Sequence, residues 1–326
     1  MASAADPSPQ PVSIDTQHND MIHDVQLDYY GCKLATASSD RTVKIFDVSS
    51  GTYAHTATLQ GHEGPVWEVS WAHPAYGVLL ASCSFDGTVA VHREIRQGEW
   101  NCIHTHRTHE SSVNSVAFAP RGHGLALAAA GSDGRVSVLT HGANGSWTAA
   151  GFTGDALGVN SVGWAPHVGG EYRPRLVTGG CDNRVRFWTC ADGTWVEDEE
   201  ATPRGAAQGH TDWVRDVAWA PGPPDADVVA SCGEDGTVLI WTREGGGAFA
   251  SELLHRVDGP VWRLSWSVTG NVLAVSSGDS NMTLWKQDAE GGWGQVDTVE
   301  DVPSAAGGQQ MEGHVGVSGT GVANQY

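Results

Sequence analysis

The sequence predicts an all-β fold, a propeller of six four-stranded blades. Three observations predict it. A turn motif recurs six times, an apolar triplet recurs ahead of each turn, and a further segment follows each motif.

The turn motif is best formed as GEDGTVLIW, Gly233 to Trp241: a strand end, a tight turn, and a second strand closed by Trp. Its Asp recurs as Asp40, Asp86, Asp133, Asp182, Asp235 and Asp279, at gaps of 46, 47, 49, 53 and 44 residues. The sixth residue onward is Phe46, His92, Leu139, Trp188, Trp241 and Trp285. This is the period of a WD-repeat blade with loop insertions. Asn183 follows Asp182, and Ser280-Asn281 follow Asp279, where three of the turns carry Gly. Asn tolerates those conformations, so no chemistry is implied.

The apolar triplets are Ile22/Val25/Leu27, Val66/Val69/Trp71, Val113/Val116/Phe118, Val159/Val162/Trp164, Val214/Val217/Trp219 and Val261/Leu264/Trp266. The last two members of each alternate, so they share one strand face. Pro74, Pro120, Pro166 and Pro221 end four of these strands. Outer segments begin near Thr52, Glu99, Ser146, Thr194, Ala248 and Gly292, giving four strands per unit. The expected organisation is an N-terminal extension over 1–17, the propeller over 18–302, and a disordered Gly-rich tail over 303–326.

A His precedes four triplets (His18, His62, His109, His210), and a hydroxyl precedes four turn Asp residues (Thr36, Ser82, Thr178, Ser231). In such blades His, hydroxyl, Asp and Trp form one buried hydrogen-bond chain, which must be fully satisfied. Only the fifth unit carries all four: His210, Ser231, Asp235 and Trp241. Elsewhere Asp155 and Val257 take the His place, and Ala129 and Val275 the hydroxyl place. The six Asp residues are read as structural, not catalytic.

Lys plus Arg total 18 against 38 Asp plus Glu, a net charge of -20. That balance repels phosphate backbones and anionic lipid, which argues against direct nucleic-acid binding. No 18-residue apolar run and no signal-like N-terminus exists, so membrane insertion is not expected. Cys32, Cys83, Cys102, Cys181, Cys190 and Cys232 form no CxxC pair and read as reduced thiols of a cytosolic or nuclear protein. His104, His106 and His109 resemble a metal cluster but lack a completing ligand. The acidic run 197–200 reads as a solvated face. No catalytic or nucleotide motif appears, so neither catalytic residues, cofactor nor metal is expected. Trp67, Trp213, Trp262 and Arg215 flank the triplets and suit either partner anchoring or blade packing.

Six units could close a ring. The sixth, however, has its own outer strand in GGWGQVDTVE, which leaves Pro11-Val12-Ser13-Ile14 no vacancy. An unclosed ring would bare its first and last blades unless a partner covered them. The expected acceptor surfaces are Ile22, Val25 and Leu27 on the first blade, and Trp262, Leu264 and Trp266 on the sixth.

Beyond the skeleton, the stretches HNDMIHDVQLDYYG, SSDRTVKIFDV, GHEGPVWEVSWAHP, SSVNSVAFAP, GVNSVGWAP, GGCDNRVRFW, GHTDWVRDVAWAP and VWRLSWSVTGNVLAVSSGDSNMTLWK resemble the Sec-thirteen family from His18 to Trp293. A sister nuclear-pore propeller is similar in the first two blades, but GHTDWVRDVAWAP favours the Sec-thirteen type. The resemblance implies a non-catalytic scaffold shared by the COPII outer coat, on vesicles leaving the endoplasmic reticulum, and the Y-shaped complex of the nuclear pore. It implies an open six-bladed propeller into which helical-solenoid partners, a coat subunit and a nucleoporin, each insert a seventh blade. Membrane association would then be peripheral, through those partners. His92 and Leu139 depart from the usual Trp, and the tail has no counterpart. The competing reading is a closed-ring adaptor or substrate receptor that binds peptides at the central channel.

Overall fold

A computed structural model describes residues 13–167, 173–203, 209–222, 226–278, 281–288 and 290–299. The expected tail and Asp279 lie outside them, as do the first twelve residues of the extension.

Six antiparallel four-stranded sheets follow one another in chain order, spanning 22–59, 66–106, 113–153, 159–197, 214–256 and 261–299. Within each blade, consecutive strands pair as hairpins. The described residues contain no α-helix, only short 3-10 turns at Pro74–Tyr76, which starts on a strand-ending proline, and Arg121–His123, which follows another. The chain is a six-bladed propeller. Outer strands begin within two residues of the expected places, at Ala54, Glu99, Trp147, Thr194, Ala250 and Trp293.

The inner strands are Ile22–Leu27, Val66–Trp71, Val113–Phe118, Val159–Trp164, Val214–Trp219 and Val261–Trp266. In every one the pairing with the next strand slips between the first and third residues. Such a bulge inserts one residue and resets the side-chain alternation. It puts the first, fourth and sixth residues on one face, toward the preceding blade, and the third and fifth on the other. The apolar triplet is therefore the imprint of a bulged strand.

The second strands carry small side chains, as in KLATAS, LLASCS and ALAAAG, and are buried along almost their whole length in the first three blades. A strand covered on both faces reads as a continuous rather than alternating run. Each of the five described turns has a left-handed residue after its Asp. Gly87, Gly134 and Gly236 supply it at φ +78°, +77° and +70°, while Arg41 and Asn183 adopt φ +70° in its place.

The core is a series of buried clusters at successive junctions. Val66, Val69 and Leu80 of blade two pack on Ala35, Ala37, Val43 and Ile45 of blade one. The same arrangement joins blades two and three, three and four, four and five, and five and six. Among the described residues, no such cluster joins blade six to blade one.

Candidate interaction seam and its supporting network

The tetrad of the fifth blade is assembled. Trp241 Nε1 donates to Ser231 Oγ at 2.7 Å, Ser231 lies 2.7 Å from His210 Nε2, and His210 Nδ1 lies 3.1 Å from Asp235. A carboxylate only accepts, so Nδ1 carries the proton and Nε2 accepts from the serine. Asp235 also accepts the N–H groups of Thr211 and Thr237 and the Thr237 hydroxyl. Burial alone would raise its carboxyl, but these hydrogen bonds, His210's foremost, hold it well below the usual carboxylate range. Asp235→Ala strands these donors and is expected to lower stability by about 1–3 kcal/mol. An unchanged denaturation midpoint would reject the buried-network role.

The other blades hold partial versions. His18 spans Asp40 and Thr36 at 2.7 and 2.8 Å, and His62 spans Asp86 and Ser82 at 3.1 and 2.8 Å. His109 reaches Asp133, but Ala129 offers no hydroxyl, and His109 Nε2 is buried without a hydrogen-bond partner. In blade four Asp155 accepts the Asp182 N–H at 3.0 Å, Asp182 pairs with Arg186, and Trp188 donates to Thr178. In blade six Trp285 turns to Thr283 instead.

His92, in the Trp place of blade two, is buried with Nδ1 unpartnered. Burial, reinforced by His62, pushes its pKa down to about 4 from 6.5. A histidine whose folded value lies below its unfolded value takes up a proton on unfolding, so stability falls as the pH drops through that window. From pH 7 to pH 5 the loss assigned to His92 is about 2 kcal/mol. His92→Leu, the side chain blade three carries as Leu139, should lose less on acidification in urea titrations at the two pH values. Equal losses would overturn the assignment.

Blades are also tied to each other by side chains at the third inner-strand position. Asp24 accepts the Val69 N–H at 3.0 Å, Glu68 the Val116 N–H at 2.8 Å, and Ser115 the Val162 N–H at 3.2 Å. Ser161 accepts the Val217 N–H at 3.1 Å, and Asp216 the Leu264 N–H at 2.8 Å. In each case the third residue of one blade receives the fourth N–H of the next. The sixth residue ties back: the indoles of Trp71, Trp164 and Trp266 donate to Gln26, Ala117 and Ala218 carbonyls of the preceding blade.

Between blades six and one the acceptor series breaks, and the indole tie is absent there as it is at Phe118 and Trp219. Blade six carries Arg263, a donor, at the acceptor position, and blade one carries Leu27 at the Trp position. Arg263 instead reaches blade two, donating to Glu68 Oε1 and the Trp67 carbonyl, both at 3.1 Å. Burial raises the Glu68 carboxyl to about 7 and also raises Asp24 and Asp216, all against the pull of Arg263.

Exposure marks the same place. The first and fourth inner-strand residues of blades two to six are at most 8 % exposed, whereas Ile22 is 38 % and Val25 50 %, with Leu27 at 56 %. On blade six the other face is open: Met282 is 42 % exposed, and Ala274, Ser276 and Leu284 are half-buried. This corrects the expected sixth-blade surface. Leu264 and Trp266 pack toward blade five, because the bulge turns the fourth and sixth residues to the preceding blade. Trp262 lies on neither flank. Its ring, with that of Trp213, takes the Arg215 guanidinium at 4.9 and 5.3 Å, while Arg215 pairs with Glu234. Trp67 donates to Ser112 of blade three, so this group at least partly packs blades together.

Sequence reasoning passed over Asp24, Glu68, Ser115, Ser161, Asp216 and Arg263. The signal was present: one polar column inside otherwise apolar strands, with a change of sign in its last member. The acidic run is also less bare than expected, since Asp198 accepts the Ala201 N–H and pairs with Arg243. No group of three His, Cys, Asp or Glu among the described residues is placed to hold a metal. None of the described helices is long and apolar enough to cross a membrane.

Comparison with known proteins gives this geometry a family. The WD domain, G-beta repeat matches residues 9–47, 54–93, 100–138, 202–242 and 251–286. The chain is 52% identical over 304 residues to Protein transport protein SEC13 homolog A of Arabidopsis thaliana, covering 89% of this chain and 99% of that protein. The chain belongs to the SEC13 family. Other members are Protein transport protein SEC13 of Yarrowia lipolytica, 45% identical over 89% of this chain and all of that protein, and Protein SEC13 homolog of Homo sapiens, 45% identical over 92% and 97%. A chain in the Crystal Structure of Mitotic Checkpoint Complex shares the fold, with a TM-score of 0.65 and 24% identity over 83% of this chain and 76% of that one.

Proposed function

We propose that this family member is a non-catalytic scaffold subunit that acts in protein transport, as the names of its relatives state of them. In this reading it belongs to the COPII outer coat cage on the cytoplasmic face of the endoplasmic reticulum, and to the Y-shaped complex of the nuclear pore. Helical-solenoid partners, one coat subunit and one nucleoporin, each fill the seam between blades six and one with a blade of their own. The observation that carries the reading is the bare triplet Ile22, Val25 and Leu27, whose counterparts in the first and fourth positions of all other blades are buried. Accepting a blade in trans is β-augmentation: backbone pairing and burial of alternate side chains supply the affinity. Two blade faces covered together make an interface well above about 2,000 Å², the size of obligate assemblies.

Co-expression with a solenoid partner that carries an N-terminal β-blade tests it. The expected product is a soluble one-to-one complex, with the chain alone prone to aggregate. A monodisperse monomer that ignores the partner and binds short peptides at the channel would select the closed-ring adaptor.

A further inference from the structure

The rule that ties blades together also specifies what the missing piece must carry. At all five consecutive junctions the third inner-strand side chain accepts the fourth N–H of the following blade. The acceptors are two Asp, one Glu and two Ser, so the constant feature is an oxygen acceptor, not one residue type. The sixth blade cannot extend the series toward Val25, because Arg263 has no acceptor atom. A strand lying between blades six and one would place its own third residue opposite the Val25 N–H. That residue would have Arg263 on one side and Asp24 on the other.

The geometry points to a partner strand that bears an oxygen acceptor, Asp, Glu or Ser, at that third position, flanked by apolar residues at its first and fourth. That acceptor extends the hydrogen-bond series onto the Val25 N–H, which Asp24 also meets, as the Val217 N–H meets both Asp216 and Ser161. A lysine or arginine there would set donor against donor at Val25. The apolar residues answer the half-open face of Ala274, Ser276, Met282 and Leu284, as Val66 and Val69 answer Ala35, Ala37, Val43 and Ile45. Arg263 is thus a specificity-determining residue for the incoming blade: it breaks self-closure, so the acceptor must come with the incoming strand. This deepens the proposed blade acceptance and rests on it.

The test uses the full chain with a copy of residues 210–244, the three inner strands of blade five, fused ahead of residue 13 by a Gly-Ser linker. That copy presents Asp216 at the third position, and tethering keeps it near the seam at about millimolar effective concentration. The readout is amide exchange at Val25. The Asp copy is expected to slow it by roughly tenfold to a hundredfold, the scale of a charge-assisted hydrogen bond. The copy with Asp216→Ser should also protect, and the copy with Asp216→Lys should leave exchange as in the unfused chain. Equal protection by the Asp and Lys copies overturns the proposal, as does Val25 already protected in the unfused chain or unprotected with every copy. Exchange in the complex with the solenoid partner separates the two claims. Protection of Ile22 and Val25 there, without any Asp-to-Lys difference in the fusions, leaves blade acceptance standing and removes the acceptor requirement; no protection there removes both.

Discussion

An Ile22→Glu, Val25→Glu double variant is expected to lose capture of the partner's blade by at least about a hundredfold. Both side chains sit on the inner strand of the first blade, on the face that every other blade buries. They are 38 % and 50 % exposed in the chain alone, so carboxylates there stay solvated and the fold should tolerate them. In the complex the same carboxylates would be trapped against an apolar strand with no cation or donor assigned to them. The unfolding midpoint of the chain alone should move little, which separates loss of binding from loss of fold. Undiminished copurification would show that the partner docks elsewhere.

Arg263→Leu should weaken the chain itself, by about 3 kcal/mol at about pH 8. Arg263 joins blade six to blade two and offsets the negative charge of Glu68, Asp24 and Asp216. Without it those carboxyls keep their burial and lose the one cation that lowers them. Glu68 then rises above about 7. A carboxyl raised above its unfolded value contributes stability below that value and loses it as the pH climbs through the folded one. The variant is therefore least stable at alkaline pH and recovers on mild acidification. A midpoint equal to that of the parent at both pH values would mean that the cluster is solvated and carries no net interaction.

Much of this was legible in the residues. The six turn Asp residues and the apolar triplets set the number of blades and the position of each inner strand, because a repeat imposes its period on the whole chain. The fifth-blade tetrad could be named before its distances were known, since only one unit carried all four members. The faces of blade six were less accessible. Leu264 and Trp266 look the same on paper whichever neighbour they meet, and the bulge that decides it leaves no residue-type signature at its second position, where His23, Trp67, Asn114, Asn160, Arg215 and Trp262 all occur. The links between blades were hidden for a different reason. An acceptor for a backbone N–H can be Asp, Glu or Ser, so the column is uniform in chemistry and varied in spelling. Only the contacts across about 45–56 residues of sequence disclose it.

The most direct measurement of the central claim is a structure of the chain bound to its solenoid partner. A partner blade is expected between blades six and one, its inner strand covering Ile22, Val25 and Leu27 on one side and Met282 and Leu284 on the other. Blades one and six packed directly on each other, with the partner confined to the mouth of the channel near Trp213 and Trp262, would contradict it.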